Sequence, residues 1–122
     1  MKKIVFIGVL LFSLGMFAQQ RITDVKVNQS WYTVYVNGDY CCSSVSKANK
    51  LIGYGNDFIV FEYNHIYFVY GVDSNCNSSC DKVISSKYAS NVEIMEVSGN
   101  RIKVNGGSNG IYYYDKYWKT VY

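Results

Sequence analysis

The stretch DFIVFEYNHIYFVYG, residues 57–71, has the composition of two strands joined by a sharp bend. Both halves, DFIVFEYN and HIYFVYG, are dominated by β-branched and aromatic residues, which fit a pleated, half-buried surface better than a helix. The only histidine of the chain, His65, falls at or just after the bend. We therefore predict a β-hairpin with His65 at its turn.

Similar hairpins are predicted on both sides of this stretch. The segment GNRIKVNGGSNGIYYYD (residues 99–115) matches it with a longer loop. The segment QSWYTVYVNGDYCC (residues 29–42) matches it with Asn37-Gly38 at the turn, and these residue types tolerate the positive φ angles of a type I′ hairpin. Serine-rich connectors also recur, as SSVSKAN (residues 43–49) and SSKYASN (residues 85–91).

These matches predict one domain made of three related units, at about residues 22–49, 51–91 and 92–122. Strand-like runs, turn residues and the absence of proline indicate an all-β fold. We predict an antiparallel meander of three hairpin units that form a small sandwich, barrel or twisted sheet. A β-trefoil-like arrangement is the alternative.

The repeated pattern resembles a group of short exported proteins. The residues that carry the resemblance are SWYTVY (residues 30–35), HIYFVYGVDSN (residues 65–75), GIYYYD (residues 110–115) and the serine-rich connectors. They resemble the uncharacterised exported β-hairpin-repeat proteins of Bacteroidetes-type bacteria, a resemblance that implies export and repetition but no catalytic residue. The chain departs from the pattern at Cys41 and Cys42, where the other units have paired aromatic residues.

The N-terminus predicts export to the periplasm or the cell exterior. Lys2 and Lys3 precede an apolar run that is too short for a membrane span of roughly 20 residues and ends near Ala18. We predict a signal peptide at residues 1–18 and a mature chain at residues 19–122, which does not span a membrane. Losing the two lysines lowers the formal charge from +3 to +1. No dense cluster of basic residues remains, so we predict no nucleic-acid partner.

The four cysteines predict structural disulfides rather than a metal site. An exported chain keeps disulfides, and a vicinal pair followed by Cys-x-x-x-Cys does not match the usual zinc spacing. Adjacent strand residues point to opposite faces, so a Cys41–Cys42 bridge is disfavoured. We predict that Cys41 or Cys42 pairs with Cys76 or Cys80, with a local Cys76–Cys80 bridge as the alternative.

Alternation in RIKVN (residues 101–105) predicts which positions face the core. Transferred to the other units, this register makes the inward residues Tyr32, Val34, Ile59, Phe61, Ile102 and Val104. The opposite face is unusually apolar in the first two units, where it carries Trp31, Thr33, Tyr35, Phe58, Val60 and Glu62. Such a face is either covered by another layer of strands or exposed for binding.

The motifs give little support for catalysis. The chain has no nucleophile elbow, and a single histidine at a turn is poorly placed for a catalytic base. The nearest carboxylate pairs are Asp57 with Glu62 and Glu93 with Glu96, and the latter two differ in strand parity and should face opposite sides. We therefore predict a protein that is not an enzyme and needs no cofactor or metal.

The function predicted from these features is a binding or structural role, with a protein or a glycan as the possible partner. One alternative is a carbohydrate-binding module that uses exposed aromatic rings, with Trp31, Tyr35 and Phe58 as the candidate residues. The other alternative is a small secreted hydrolase, which requires two carboxylates that converge in a cleft.

Overall fold

The computed structural model describes residues 21–45, 50–73, 75–77, 79–90 and 92–121, which form ten strands in three antiparallel sheets. The first sheet contains β1 (Ile22–Val27), β2 (Trp31–Val36) and β3 (Asp39–Val45). The second contains β4 (Lys50–Tyr54), β5 (Phe58–Tyr63), β6 (Ile66–Gly71) and β7 (Lys82–Tyr88), and the third contains β8 (Glu93–Ser98), β9 (Arg101–Asn105) and β10 (Ile111–Tyr114).

Strand order follows chain order in each sheet, so the predicted all-β antiparallel meander is confirmed. The first and third sheets lie within the predicted units, and the second begins one residue before its unit, at Lys50. That the three units are copies of one repeat stays a prediction. The predicted signal peptide, at residues 1–18, lies outside the described residues.

Two of the hairpins turn through two residues with positive φ. Asn37 (φ 52°) and Gly38 (φ 89°) join β2 to β3, as predicted. Asn64 (φ 55°) and His65 (φ 64°) join β5 to β6, which confirms His65 as an exposed turn residue. The right-handed twist of the flanking strands favours this turn geometry.

Strand β5 of the middle sheet is buried on both of its faces. Tyr32 and Val34 of the first sheet pack into one hydrophobic cluster with Ile59 and Phe61 of β5. A second cluster joins the other face of β5 to the third sheet, and its fully buried residues are Phe58, Val60, Val69, Ile102 and Val104. The first and third sheets thus lie on opposite faces of the second, which is a three-layer sandwich rather than the trefoil alternative.

All six positions predicted to face inward are fully buried, but they do not share one core. Ile102 and Val104 pack against Phe58 and Val60, which the predicted register assigned to the opposite face. The face opposite the predicted inward positions is therefore covered in the second unit. In the first unit it is open, and Trp31 is 49% exposed.

Backbone contacts through Asn56 link all three sheets. The Ile22 amide donates to the Asn56 carbonyl oxygen at 2.8 Å, and the Asn56 amide donates to the Gly99 carbonyl oxygen at 2.8 Å. The adjoining Gly55 is buried, and a Cβ atom there would lie 2.5 Å from the Gly99 oxygen and against the Phe58 ring. The sheets approach this closely because Gly55 has no side chain.

We expect Gly55→Ala to lower the free energy of unfolding by about 1–3 kcal/mol, the usual cost of overpacking. Urea denaturation followed by tryptophan fluorescence measures the effect. Gly107→Asn is the control, because Gly107 has φ +67° with no atom near its would-be Cβ, and asparagine tolerates that conformation. A Gly55→Ala variant as stable as the control would contradict the close approach.

Tyr32 is the polar member of an otherwise apolar cluster. Its ring centroid lies 4.9 Å from that of Phe61, which lies 5.3 Å from that of Tyr70. The Tyr32 hydroxyl donates to the carbonyl oxygen of Cys80 at 2.7 Å. Burial away from water raises the pKa of the Tyr32 phenol above its ordinary value of 10.0.

We expect Tyr32→Phe to lose about 1–2 kcal/mol of stability at pH 7, because the buried carbonyl of Cys80 loses its donor. Because the folded-state pKa of Tyr32 is raised, the free energy of unfolding also depends on pH. Stability held by the neutral phenol is complete below pH 10 and is lost as pH rises toward the folded-state pKa. In urea denaturation, the stability gap between wild type and variant should narrow between about pH 10 and pH 11. A constant gap would contradict the assignment.

Candidate functional site

A β-bulge brings Cys41 and Cys42 to the same side of the first sheet. Val34 is opposite Cys42 and Tyr35 is opposite Tyr40, so Cys41 is the extra residue of β3. A bulge re-aims side chains in this way. Cys42 is buried in the first hydrophobic cluster and Cys41 packs against it. The expectation that these adjacent cysteines point to opposite faces is therefore wrong, because it assumed regular alternation.

Both cysteines bond to the segment between β6 and β7, residues 72–81, which we name the connector. The bridges are Cys41–Cys76, with Cα atoms 5.2 Å apart, and Cys42–Cys80, with Cα atoms 6.1 Å apart. The predicted pairing of Cys41 or Cys42 with Cys76 or Cys80 is confirmed, both cysteines of β3 take part, and the local Cys76–Cys80 bridge is not formed. The connector joins two strands of the second sheet, and β3 belongs to the first. The two bridges therefore link these two layers covalently.

At the end of the connector, two serine hydroxyl groups contact the carboxylate of Asp81. Ser79 donates to one carboxylate oxygen of Asp81 at 2.7 Å, and Ser44 of β3 lies 3.4 Å from the other. The hydrogen bond from Ser79 holds the pKa of the Asp81 carboxyl below its usual range. The contact from Ser44 is a further link between the connector and the first sheet.

We expect the two disulfides to stabilise the fold in a coupled way. Either bridge alone closes a loop of 35 or 38 residues, but the second then closes only a small ring of about five residues. Replacing one cysteine pair by alanine should cost about 2 kcal/mol, whereas replacing both should cost about 6 kcal/mol. Guanidinium denaturation of the three variants tests this, and a double loss equal to the sum of the single losses would contradict it.

The surface of the first sheet that points away from the second sheet is the candidate site, and we name it the outer face. Pairing between the strands arranges it in three rows. The rows, from the hairpin end, are Asp24–Tyr35–Tyr40, Lys26–Thr33–Ser43 and Trp31–Val45. Tyr40 is 63% exposed and Val45 is 43% exposed, so aromatic and aliphatic surface meets solvent here.

The three predicted binding residues do not form one surface. Trp31 and Tyr35 lie on the outer face, separated by four positions of β2. Phe58 is fully buried between the second and third sheets. The prediction that Phe58 belongs to an exposed aromatic surface is wrong, because the third sheet covers that side of β5.

Sequence reasoning missed Tyr40 and Lys26. The Asn37-Gly38 turn contains the signal for Tyr40, since a regular two-residue hairpin pairs Val36 with Asp39 and therefore Tyr35 with Tyr40. Lys26 holds its ammonium group 5.1 Å from the centroid of the Tyr35 ring, a cation–π contact. In the middle row the Ser43 hydroxyl donates to that of Thr33 at 3.2 Å. The outer face thus combines aromatic rings with polar groups.

The carboxylates considered for hydrolysis do not converge. Asp57 forms an ion pair with Lys116 at 2.8 Å and is separated from Glu62 by the length of β5. Glu93 and Glu96 share one face of the third sheet, because a bulge between Ile94 and Glu96 shifts the register. The expectation that they face opposite sides is therefore wrong.

Even on one face, Glu93 and Glu96 line different hollows. Glu96 lies in a groove of about 480 Å³ with Arg101 and Lys103, and Glu93 lies in another near Asn105. Within the described ranges, no three His, Cys, Asp or Glu side chains come together as a metal site would require. The same part of the chain contains no helix with the length and hydrophobicity of a membrane span.

No family model matches this chain, and neither a curated protein nor a solved structure matches it. The resemblance to exported β-hairpin-repeat proteins therefore stays a prediction. Any assignment of function depends on the geometry described above.

Proposed function

We propose that this chain is an exported, non-enzymatic binding module whose binding surface is the outer face of the first sheet. The observation that carries the proposal is the exposure of Trp31 and Tyr40 on that face. In the same molecule Phe58, which matches Trp31 in its hairpin, is covered by the third sheet. The corresponding aromatic position of the first sheet is open to solvent.

Aromatic side chains that stay in water do not contribute the free energy of burial to folding, so their exposure favours a role in binding. Apolar surface left in water forgoes about 25 cal/mol for each Å² that could be buried. Contiguous exposed apolar patches mark binding sites in soluble proteins, and tryptophan and tyrosine are enriched at the centres of interfaces. Trp31 with Val45, and the half-buried Tyr35 with the exposed Tyr40, form two such small patches at the two ends of one sheet face.

Export is supported by the cysteines together with the predicted signal peptide. All four cysteines pair in disulfides, which persist in oxidising compartments and are rare in the cytosol. The bridges also immobilise β3, which contributes Tyr40, Ser43 and Val45 to the outer face. A rigid platform loses little conformational entropy when it binds a ligand.

A binding role also agrees better with the carboxylates than the hydrolase alternative does. Hydrolysis of a glycoside needs two carboxyl groups on either side of the scissile bond. Asp57 is occupied by Lys116, and Glu93 and Glu96 line different hollows. The two pairs proposed from the sequence therefore lack the shared cleft that this chemistry requires.

We expect Trp31 and Tyr40 to be protected when the protein is in its natural setting. Hydroxyl-radical footprinting compares the oxidation of each side chain in purified protein with that in a suspension of the producing cells. Binding through the outer face should slow oxidation of Trp31 and Tyr40 several-fold. Tyr88, which is 74% exposed on β7, should react equally in both and is the internal control. Equal oxidation of Trp31 and Tyr40 in both samples would disprove the proposed function.

A further inference from the structure

We propose that the outer face binds a neutral oligosaccharide, with the rings of Trp31, Tyr35 and Tyr40 as stacking surfaces. This inference rests on the proposed function and names its ligand class. A sugar ring presents apolar C–H groups on its faces and hydroxyl groups around its edge. A recognition surface for it therefore needs flat aromatic rings with hydrogen-bonding groups beside them.

The spacing of the rings fits a chain of sugars. Trp31 and Tyr35 are four positions apart on β2, which is about 13 Å along the strand. Tyr40 lies beside Tyr35 on β3, at about the 4.8 Å separation of neighbouring strands. The two aromatic ends are too far apart for one monosaccharide, and an oligosaccharide can contact both.

The polar groups of the outer face lie between and beside these rings. Thr33 and Ser43 fill the middle row, and their hydroxyl groups already form a hydrogen bond of 3.2 Å. Asp24 lies opposite Tyr35, and Lys26 lies opposite Thr33. Hydroxyl, carboxylate and ammonium groups together donate and accept hydrogen bonds, as polyhydroxylated ligands require.

Charge argues for a neutral ligand. The outer face carries one acidic residue, Asp24, and one basic residue, Lys26, and so has no net charge. Polyanions such as nucleic acids, sulfated glycans and anionic lipid surfaces are bound by clustered cations that displace counterions. Among the described residues of this face, Lys26 is the single cation, and its ammonium group lies over the Tyr35 ring.

The size of the face argues against a protein partner, including a second copy of this chain. Three strands about 4.8 Å apart, with the six residues of β2, cover a projected area of about 300 Å². A stable protein interface involves about 20–30 residues on each partner, whereas the three rows of the outer face contain eight. The outer face alone is too small for such an interface, whereas an oligosaccharide can fill it.

The experiment measures binding of the full mature, oxidised protein to soluble polysaccharides by affinity gel electrophoresis. The neutral probes are hydroxyethyl cellulose, xyloglucan, laminarin and dextran, and the charged probes are polygalacturonate and heparin. We expect retardation by at least one neutral probe and no salt-sensitive retardation by the charged ones. Light scattering should show a monomer.

Substitutions at Trp31 and Tyr88 test whether the rings of the outer face carry the binding. Trp31→Ala should weaken binding to the neutral probe at least about tenfold, as loss of a central aromatic anchor does. Trp31→Phe should retain part of the affinity, since a smaller ring still stacks. Tyr88→Ala is the matched control, an exposed aromatic on β7 away from the outer face, and should leave binding unchanged. Near-ultraviolet circular dichroism confirms that each variant is folded.

Three results would overturn the inference, and they are distinguishable from failure of the proposed function. The first is no binding to any of the neutral probes. The second is binding to them that Trp31→Ala leaves unchanged. The third is a dimer that Trp31→Ala dissociates, which would make the outer face a contact between copies. If the footprint of Trp31 is nevertheless present on cells, the binding module stands and only the ligand class is wrong.

Discussion

Burial of β5 on both of its faces is the constraint on which the architecture depends. Four consecutive residues, from Phe58 to Phe61, are fully buried, and alternate side chains enter different cores. A strand in a two-layer sandwich buries only every second residue. Because β5 contributes side chains to both cores, the first and third sheets each pack against the second sheet rather than against each other. Each of these two sheets therefore keeps one face toward solvent.

Close approach of the layers depends on small residues and on a few directional contacts. Gly55 lets the backbone near Asn56 reach Gly99, and Asn56 also accepts a hydrogen bond from Ile22. At the far side of the first core, the bulge at Cys41 and the two disulfides hold the connector against β3. Hydrophobic burial thus supplies the main driving force, while these contacts determine how the layers are aligned.

The same arrangement explains why a binding surface lies on the first sheet. Equivalent positions of β5 are covered by the third sheet, but Trp31, Thr33 and Tyr35 of β2 point to solvent. The outer face of the third sheet is also open, yet it carries charged residues such as Glu96, Arg101 and Lys103. Among the described strands, those of the first sheet combine an open face with several aromatic rings and just one residue of each charge, which is why the proposed ligand is a neutral, polyhydroxylated one.

Local patterns were sufficient to predict the strands of the three hairpins, the Asn37-Gly38 turn, the position of His65 and the six inward positions, because alternation and turn chemistry act between near neighbours. They did not predict β1 or β7, and part of β7 was expected to be a serine-rich connector. They were also sufficient to predict long-range pairing of the cysteines. Bulges lay beyond this reasoning, and two of them reversed an expectation, one for Cys41 and Cys42 and the other for Glu93 and Glu96. A single extra residue inverts the side-chain parity of everything beyond it.

In strands without a bulge, such as β2, β5 and β9, the alternating pattern determined by itself which residues share a face. Whether that face is covered was decided only by the tertiary structure. Phe58 and Trp31 occupy matching positions in their hairpins, and one is fully buried while the other is half exposed. The difference arises because a neighbouring sheet packs over Phe58 and leaves Trp31 in solvent, and stacking of layers depends on contacts between residues far apart in the chain.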